Sequence, residues 1–227
     1  MNLTTLAMTI LLGVSSSLQH SSPQEWAAKH VELGLKCVNF PVDYLAGEDV
    51  YMAYKQAADE AGLVIAEVGV WRNTLAADPD EREKWIEYAI GQLKMAEKIG
   101  AVCCVNVVGT PYGPRWDGGY RGSFGVHLDA VNMITSPQRY FFNDDFLREC
   151  FDKLGPWIVS CHLKDILLKQ EYTFQLQECA PGAGTLDIPL FLKLAQEYNP
   201  GMPFIIEHLV TDEEYIESVR YVQGLIK

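Results

Sequence analysis

The sequence is poor in positive charge and contains no long apolar run. Its 227 residues include 18 Lys and Arg against 30 Asp and Glu, which gives a formal charge of -12. This balance opposes approach to a phosphate backbone or an anionic lipid surface. No apolar stretch approaches the ~20 residues that a membrane-spanning helix needs. We therefore expect neither a nucleic acid nor a membrane as partner.

Paired cysteine motifs and a basic leader are also missing. The six cysteines include no C-x-x-C pair and no zinc-finger spacing, and four of them lie in apolar, strand-like runs, which favours reduced, mostly buried thiols. The opening MNLTTLAMTILLGVSSS has an apolar run before small residues, but the first basic side chain is Lys29, whereas a signal peptide has a positively charged start. These features predict a cytoplasmic protein.

The chain does contain a regular alternation of apolar runs and amphipathic stretches. The predicted strands are 10–14, 35–40, 63–70, 101–108, 124–129, 157–163 and 203–209. The predicted helices lie at 23–33, about 48–61, 79–99, near 144–154, near 186–198, and after a capping box formed by Thr211 and Glu214. Strands that alternate with helices indicate parallel strands joined by right-handed crossovers. We expect one domain over residues 1–227.

The connection between the fourth and fifth predicted strands lacks a helix. Residues 109–123 contain five glycines and two prolines and show no apolar periodicity, so a helix is not expected there. A (β/α) barrel has eight strand–helix units and typically about 250 residues. The sequence therefore predicts an incomplete α/β TIM barrel of about seven parallel strands, with one helix–strand–helix segment missing. An open doubly wound sheet is the alternative, although no G-x-G-x-x-G follows the first strand.

Polar residues stand at the carboxyl ends of the last three predicted strands. Asp129, His162 and Glu207 share the inward parity of a barrel strand, whereas His208 is expected to point the opposite way. Carboxylate and imidazole ligands suit a divalent metal ion, with Mn²⁺ favoured and Mg²⁺, Co²⁺ or Zn²⁺ as further candidates. The alternative is that each residue is an ordinary hydrogen-bonded polar group of the barrel interior.

Several short motifs resemble those of one superfamily. They are GVSSSL (13–18), EVGVWRN (67–73), HLDAVNM (127–133), SCHLKD (160–165), GAGTLD (182–187) and FIIEH (204–208). Together they resemble the strand ends and loops of the xylose-isomerase-like TIM-barrel superfamily, which holds sugar isomerases and epimerases, inosose dehydratases and endonuclease IV. The resemblance covers nearly the whole chain, but no motif specifies a substrate.

The resemblance implies a set of metal ligands. In the epimerase-type members, Glu, Asp, His and Glu from strands five to eight hold one ion, and Asp129, His162 and Glu207 match the last three. It also implies that Glu207 acts as catalytic acid or base while the ion stabilises an enediolate. The fifth-strand Glu, a ligand and an acid/base group, has no counterpart here, and Glu67 or Asp117 are candidate substitutes.

Supporting residues have a functional and a plain interpretation. Lys164 could reach substrate oxygens or be a surface lysine, and Trp71 could wall the pocket or fill the core. His127 could bind substrate, orient Asp129, or be a buried, hydrogen-bonded histidine. Asn132 stands where endonuclease IV has a further metal-binding His, so the chain is closer to the single-metal epimerase type. The GAGT stretch could bind an anion, or its threonine could cap a helix.

Three functions follow as hypotheses. The first is a metal-dependent isomerase or epimerase of a sugar or polyol, whose turnover the loss of one Glu could impair. The second is a non-catalytic barrel remnant or binding protein. The third, an abasic-site endonuclease, is opposed by the acidic charge and by too few histidines for three metals. Unpaired strand edges beside the gap also predict a homodimer.

Overall fold

A computed structural model describes residues 10–107 and 125–226 of the chain. Within these ranges seven strands run parallel: β1 (Leu11–Val14), β2 (Cys37–Asn39), β3 (Val64–Val70), β4 (Cys103–Asn106), β5 (Val126–Leu128), β6 (Ile158–Leu163) and β9 (Pro203–Ile206). A short antiparallel hairpin, β7 (Asp165–Leu168) and β8 (Leu176–Cys179), follows β6. The glycine-rich connection that carries Asp117 lies outside the described residues.

Seven helices are seen in the same ranges. They are α1 (Pro23–Glu32), α2 (Glu48–Ala61), α3 (Pro79–Ile99), α4 (Pro137–Phe141), α5 (Asn143–Leu154), α6 (Ile188–Tyr198) and α7 (Asp212–Leu225). Ser22 caps α1, and the predicted capping box of Thr211 and Glu214 begins α7. Gly62 and Gly100 end α2 and α3 in the left-handed conformation that glycine adopts readily. In the parts of the chain described by the structure, no helix is both long and apolar enough to cross a membrane.

The parallel strands form two sheets that curve into an incomplete barrel. One sheet has the order β1-β9-β6-β5 and the other the order β2-β3-β4. The Lys36 amide donates to the Leu12 carbonyl at 3.0 Å, which links the two sheets beside β1. A Cβ atom on Gly13 would lie 2.6 Å from the Cys37 carbonyl oxygen, so glycine allows this close approach. On the other side, no ladder joins β4 to β5 among the described residues, and the predicted incomplete barrel is confirmed.

Two apolar clusters hold the helices on the strands. One packs α5, α6 and α7 against the four-stranded sheet through residues such as Leu147, Phe191 and Phe204. The other packs α1, α2 and α3 against β2 and β3 through residues such as Trp26 and Met95. Burying each large apolar side chain contributes about 1.5–3 kcal/mol. The helices thus fix the outer faces of the strands, and the inner faces are left to carry polar residues.

The sequence did not predict the hairpin or α4. Only Lys164 separates β6 from β7, so β7 follows β6 without a loop that composition could reveal, and the chain reverses between β7 and β8. The N-cap of α6 is Asp187, whose side chain accepts from the Leu190 amide, and the helix-cap interpretation of Thr185 is wrong.

Candidate functional site

Neighbouring strand ends bring the three predicted ligands together. Asp129 follows β5, His162 lies near the end of β6, and Glu207 follows β9, and these strands are adjacent in the sheet. The candidate ligand atoms of the three residues all lie within 4.8 Å of one another. His162 Nδ1 is 2.7 Å from Glu207 Oε2 and 3.8 Å from Asp129 Oδ2. The side chains that share inward parity on these neighbouring strands therefore lie at a common point.

Lys164 lies between the two carboxylates. Its Nζ atom is 2.6 Å from Glu207 Oε1, 2.9 Å from Asp129 Oδ2 and 3.4 Å from Glu178 Oε1. The residue is only 1% exposed, so the interpretation of Lys164 as a surface lysine is wrong. A buried ammonium needs such partners, because desolvation is costly for an unpaired charge.

Glu67 contacts the opposite side of the His162 ring. It is fully buried on β3, and its Oε1 atom lies 3.3 Å from His162 Nε2, the nitrogen that faces away from Asp129 and Glu207. A carboxylate in this position orients a metal-ligating imidazole and raises its basicity. Glu67 therefore does not replace the missing fifth-strand ligand, because it contacts the His162 nitrogen that faces away from Asp129 and Glu207.

His127 lies one layer deeper than Asp129. Its Nδ1 atom is hydrogen-bonded to Ser160 Oγ at 2.6 Å, and its ring meets the His162 ring edge-on with centroids 4.0 Å apart. Burial, reinforced by the charge on His162, lowers the pKa of His127 to about 4. The imidazole is therefore neutral at pH 7, and these contacts give His127 a supporting position beneath the ligands.

Trp71 and Asn132 lie at the rim. The Trp71 ring is 6.3 Å from the His162 ring and 41% exposed, so the core interpretation of Trp71 is wrong. A Cβ atom on Gly69 would clash with the indole, and glycine there allows the ring to fold toward the barrel mouth. The backbone amide of Asn132 donates to Asp129 Oδ1 at 3.2 Å, while the residue itself is exposed.

Sequence reasoning missed Glu178 and His208. His208 has a φ of 60°, which departs from strand geometry, so its side chain turns back toward the site and the parity prediction for it is wrong. Its Nδ1 atom is 2.8 Å from Glu178 Oε2, and its Nε2 atom is 3.5 Å from Glu207 Oε2. Glu178 arrives on β8, for which the aromatic and β-branched residues of the EYTFQLQEC stretch were the available signal.

The backbone amides of the GAGT stretch already bind the side chain of Asp165. Asp165 Oδ2 accepts from the amides of Gly182 and Gly184, both at 3.0 Å, and its Oδ1 accepts from the Leu186 amide at 2.9 Å. The anion-binding interpretation is therefore wrong, because a buried carboxylate already uses these donors. Asp165 instead fixes the loop to the hairpin beside Lys164.

The charges of the site are balanced within the protein. Burial disfavours a charged His162, but hydrogen bonds to Asp129, Glu207 and Glu67 outweigh it and raise the pKa of His162 to about 11. Burial opposes ionisation of Asp129 as well, yet His162 and Lys164 hold its pKa well below the usual range. We call these four residues, Asp129, His162, Lys164 and Glu207, the upper group. The group thus places two carboxylates in direct contact with two basic side chains.

The donor set fits a divalent cation. Two carboxylates and one imidazole converge from three strands, and hard ions of the Mn²⁺ and Mg²⁺ type prefer oxygen ligands with some imidazole. Metal binding requires His162 to release the proton on its ligating nitrogen. The ion must also compete with the Lys164 ammonium for Asp129 and Glu207.

Solved structures share this architecture, although no protein-family model and no curated protein matches the chain. Endonuclease IV from Thermus thermophilus has a TM-score of 0.68 at 14% identity, covering 95% of this chain and 98% of its own. The apo form of 3-keto-D-glucoside 4-epimerase from E. coli gives 0.62 at 14%, with coverages of 95% and 99%. A xylose isomerase-like TIM barrel protein from Mycobacterium smegmatis in complex with magnesium gives 0.58 at 16%, with coverages of 96% and 96%. The chain therefore shares the TIM-barrel fold of these structures, in an incomplete form.

Proposed function

We propose that the protein is a metal-dependent isomerase or epimerase that acts on a sugar or polyol. The observation that carries the proposal is the convergence of Asp129, His162, Glu207 and Lys164 at the carboxyl ends of adjacent barrel strands. TIM-barrel enzymes place their active sites at this end. The epimerase among the structural neighbours supports the same class of chemistry.

Asp129, His162 and Glu207 would hold the ion, for which Mn²⁺ is favoured. Bound there, a divalent ion would polarise neighbouring oxygens of the substrate and stabilise the negative charge that develops when a proton leaves carbon. The magnesium complex among the structural neighbours supports a hard divalent ion. Glu67 would keep His162 in the ligating orientation through the 3.3 Å contact to Nε2.

Glu207 would move the proton, and Lys164 would bind a substrate oxygen. Lys164 Nζ lies 2.6 Å from Glu207 Oε1, so the group that moves the proton and the group that binds the oxygen would act side by side. Trp71 would cover one face of the sugar at the rim, with Asn132 beside it. His127 lies one layer deeper, where it would contact substrate only if the sugar reached past His162.

The missing strand favours isomerisation over epimerisation. Moving a proton between adjacent carbons on one face of an enediolate needs one carboxylate, which Glu207 provides. Inverting a carbon needs a proton donor on the opposite face as well. In the family pattern that donor is the Glu of the fifth strand, for which this sequence has no counterpart.

Solvent exchange tests the proposal directly. The Mn²⁺-loaded protein is incubated in deuterated water with a panel of ketoses and aldoses, and mass spectrometry detects deuterium on carbon. We expect exchange with at least one sugar and none with Glu207→Gln. Exchange that is unchanged in Glu207→Gln would refute the assignment. Metal retention without any exchange would support the alternative, a non-catalytic binding protein.

The structural likeness to endonuclease IV motivates a second assay. The formal charge of -12 opposes a DNA substrate, so we expect no incision of an abasic duplex. Incision that depends on His162 would replace the isomerase proposal.

The proposal extends to cellular setting and assembly. The six cysteines are free thiols, which suits the cytoplasm. Helix α3 exposes Ile86, Ile90 and Leu93 at intervals of about one turn, and we propose that this face contributes to a homodimer. Light scattering that reports a monomer at micromolar concentration would contradict the dimer.

A further inference from the structure

A second group of potential ligands lies beneath the upper one. Glu67 and Cys103 are register partners on β3 and β4, and His127 projects from β5. Their ligand atoms all lie within 4.8 Å of one another. The three residues belong to the two different sheets, on the side where no described ladder joins β4 to β5.

Buried polar atoms in this group lack partners. Glu67 Oε2 and His127 Nε2 are both buried, and neither has a hydrogen bond to any described residue. Glu67 as a whole is 0% exposed, and its Oε2 atom lies 3.8 Å from His127 Nδ1. Native proteins rarely leave such atoms unsatisfied, so each one calls for an explanation such as a bound ion.

The donor types differ from those of the upper group. A thiol, an imidazole and a carboxylate are the ligands that Zn²⁺ takes in proteins, whereas Mn²⁺ and Mg²⁺ avoid thiolates. Cys103 Sγ lies 3.4 Å from Ser160 Oγ, which is itself hydrogen-bonded to His127. The Ser160 hydroxyl therefore bridges two of the donors and holds them on one side of the space.

We propose that Glu67, Cys103 and His127 form a second metal site, selective for Zn²⁺ or another thiophilic divalent ion, that ties the two sheets together across the opening of the barrel. Glu67 connects the two sites, because its Oε1 atom lies 3.3 Å from His162 Nε2 and its Oε2 atom lies 3.8 Å from His127 Nδ1. The ion would cross-link β4 and β5 at the place where the missing strand of a complete barrel would pair with both of them. This site does not depend on the isomerase proposal.

Co²⁺ is the probe, because a thiolate bound to Co²⁺ gives a near-ultraviolet charge-transfer band and oxygen or nitrogen ligands do not. The full-length protein is stripped with chelator and titrated with Co²⁺. We expect the band in the parent and in Cys104→Ser, and its loss in Cys103→Ser. Cys104 is the matched control, since it adjoins Cys103 on β4 and packs against the apolar cluster that contains Trp26 and Met95.

Two further measurements test the second site through a different variant and a different property. His127→Gln retains the thiolate, so the band should persist at saturation with affinity lower by roughly tenfold or more. Zn²⁺ should raise the melting temperature of the parent more than that of Cys103→Ser, in which only Asp129, His162 and Glu207 remain to bind it. A parent without the band, or an equal band in Cys103→Ser, would overturn the second site.

Discussion

Two polar layers lie one above the other inside the barrel, and they differ in whether their buried charged and polar atoms have partners within the protein. The upper layer (Asp129, His162, Lys164 and Glu207) pairs each charge with an opposite charge at 2.6–3.8 Å. The lower layer (Glu67, Cys103, His127 and Ser160) leaves two buried atoms without a described partner. The upper layer can therefore exist without a metal, and an ion must displace Lys164 and the His162 proton to bind there. In the lower layer an ion would instead supply the partners that the two buried atoms lack.

Removal of the Glu207 carboxylate should have the largest effect on activity. Glu207→Gln keeps the size of the side chain but removes a ligand and the base, so we expect kcat to fall by about 10²–10⁴-fold, the usual range for losing a general acid or base. Steady-state kinetics on a sugar that shows solvent exchange measures this loss. Glu213→Gln, on the exposed first turn of α7, is the control and should leave kcat unchanged.

Removal of the Lys164 ammonium should reveal the competition in the upper layer. Lys164→Met removes one of the two buried cations that pair with Asp129 and Glu207 and leaves only His162, so unfolding in chelator should require ~3–5 kcal/mol less free energy. With the competing cation gone, Mn²⁺ should bind roughly tenfold more tightly, about 1.4 kcal/mol. Urea unfolding and Mn²⁺ calorimetry test both effects.

Lys193→Met on the exposed face of α6 is the matched control, because Lys193 makes only a surface pair with Glu197. It should change neither quantity. Weaker Mn²⁺ binding in Lys164→Met would contradict the competition between ammonium and metal.

The two histidines should make the layers respond oppositely to pH. The pKa of His162 is raised from 6.5 to about 11, so its contribution to stability is complete below pH 6.5 and is lost as the pH rises toward 11. The pKa of His127 is lowered from 6.5 to about 4. The unfolded chain therefore takes up that proton first, and stability is lost as the pH falls from 6.5 toward 4.

Urea unfolding in chelator from pH 4 to 10 measures these slopes, each at most about 1.4 kcal/mol per pH unit for one group. His162→Gln should flatten the alkaline limb, and His127→Gln should flatten the acid limb. An alkaline limb that His127→Gln flattened, or that His162→Gln left unchanged, would contradict the assignment of the layers.

Ser160→Ala should have the smallest effect. It removes the hydroxyl that bridges Cys103 and His127, and the loss of one buried hydrogen bond costs about 1 kcal/mol. A chemical denaturation midpoint would show the change. If Zn²⁺ fills the lower layer, the cost should shrink when Zn²⁺ is present, because the ion takes over the bridging of the donors.

The sequence predicted the scaffold well because its signals were local. Helix caps such as Ser22 and the Thr211–Glu214 box depend on neighbouring residues, and α2 lies where the amphipathic pattern and Gly62 predicted it. The alternation of strand side chains was also enough to bring Asp129, His162 and Glu207 to one point, since parallel strands end at one edge.

The parts that the sequence did not reveal depend on long-range register or on special backbone. The contact of Glu67 with His162 joins residues 95 positions apart, across sheets whose relative placement no local pattern defines. His208 reaches the site because its φ is positive, which parity cannot anticipate in a residue other than glycine. The β7–β8 hairpin that carries Glu178 consists of short strands with little alternation.

The central claim is that three strand-end residues bind a divalent ion in spite of the buried lysine beside them. The most direct test is the Mn²⁺ content of the parent and of His162→Ala after incubation and desalting, measured by plasma mass spectrometry. The account predicts near-stoichiometric Mn²⁺ in the parent and its loss in the variant. Equal Mn²⁺ in both proteins, or none in the parent, would contradict it.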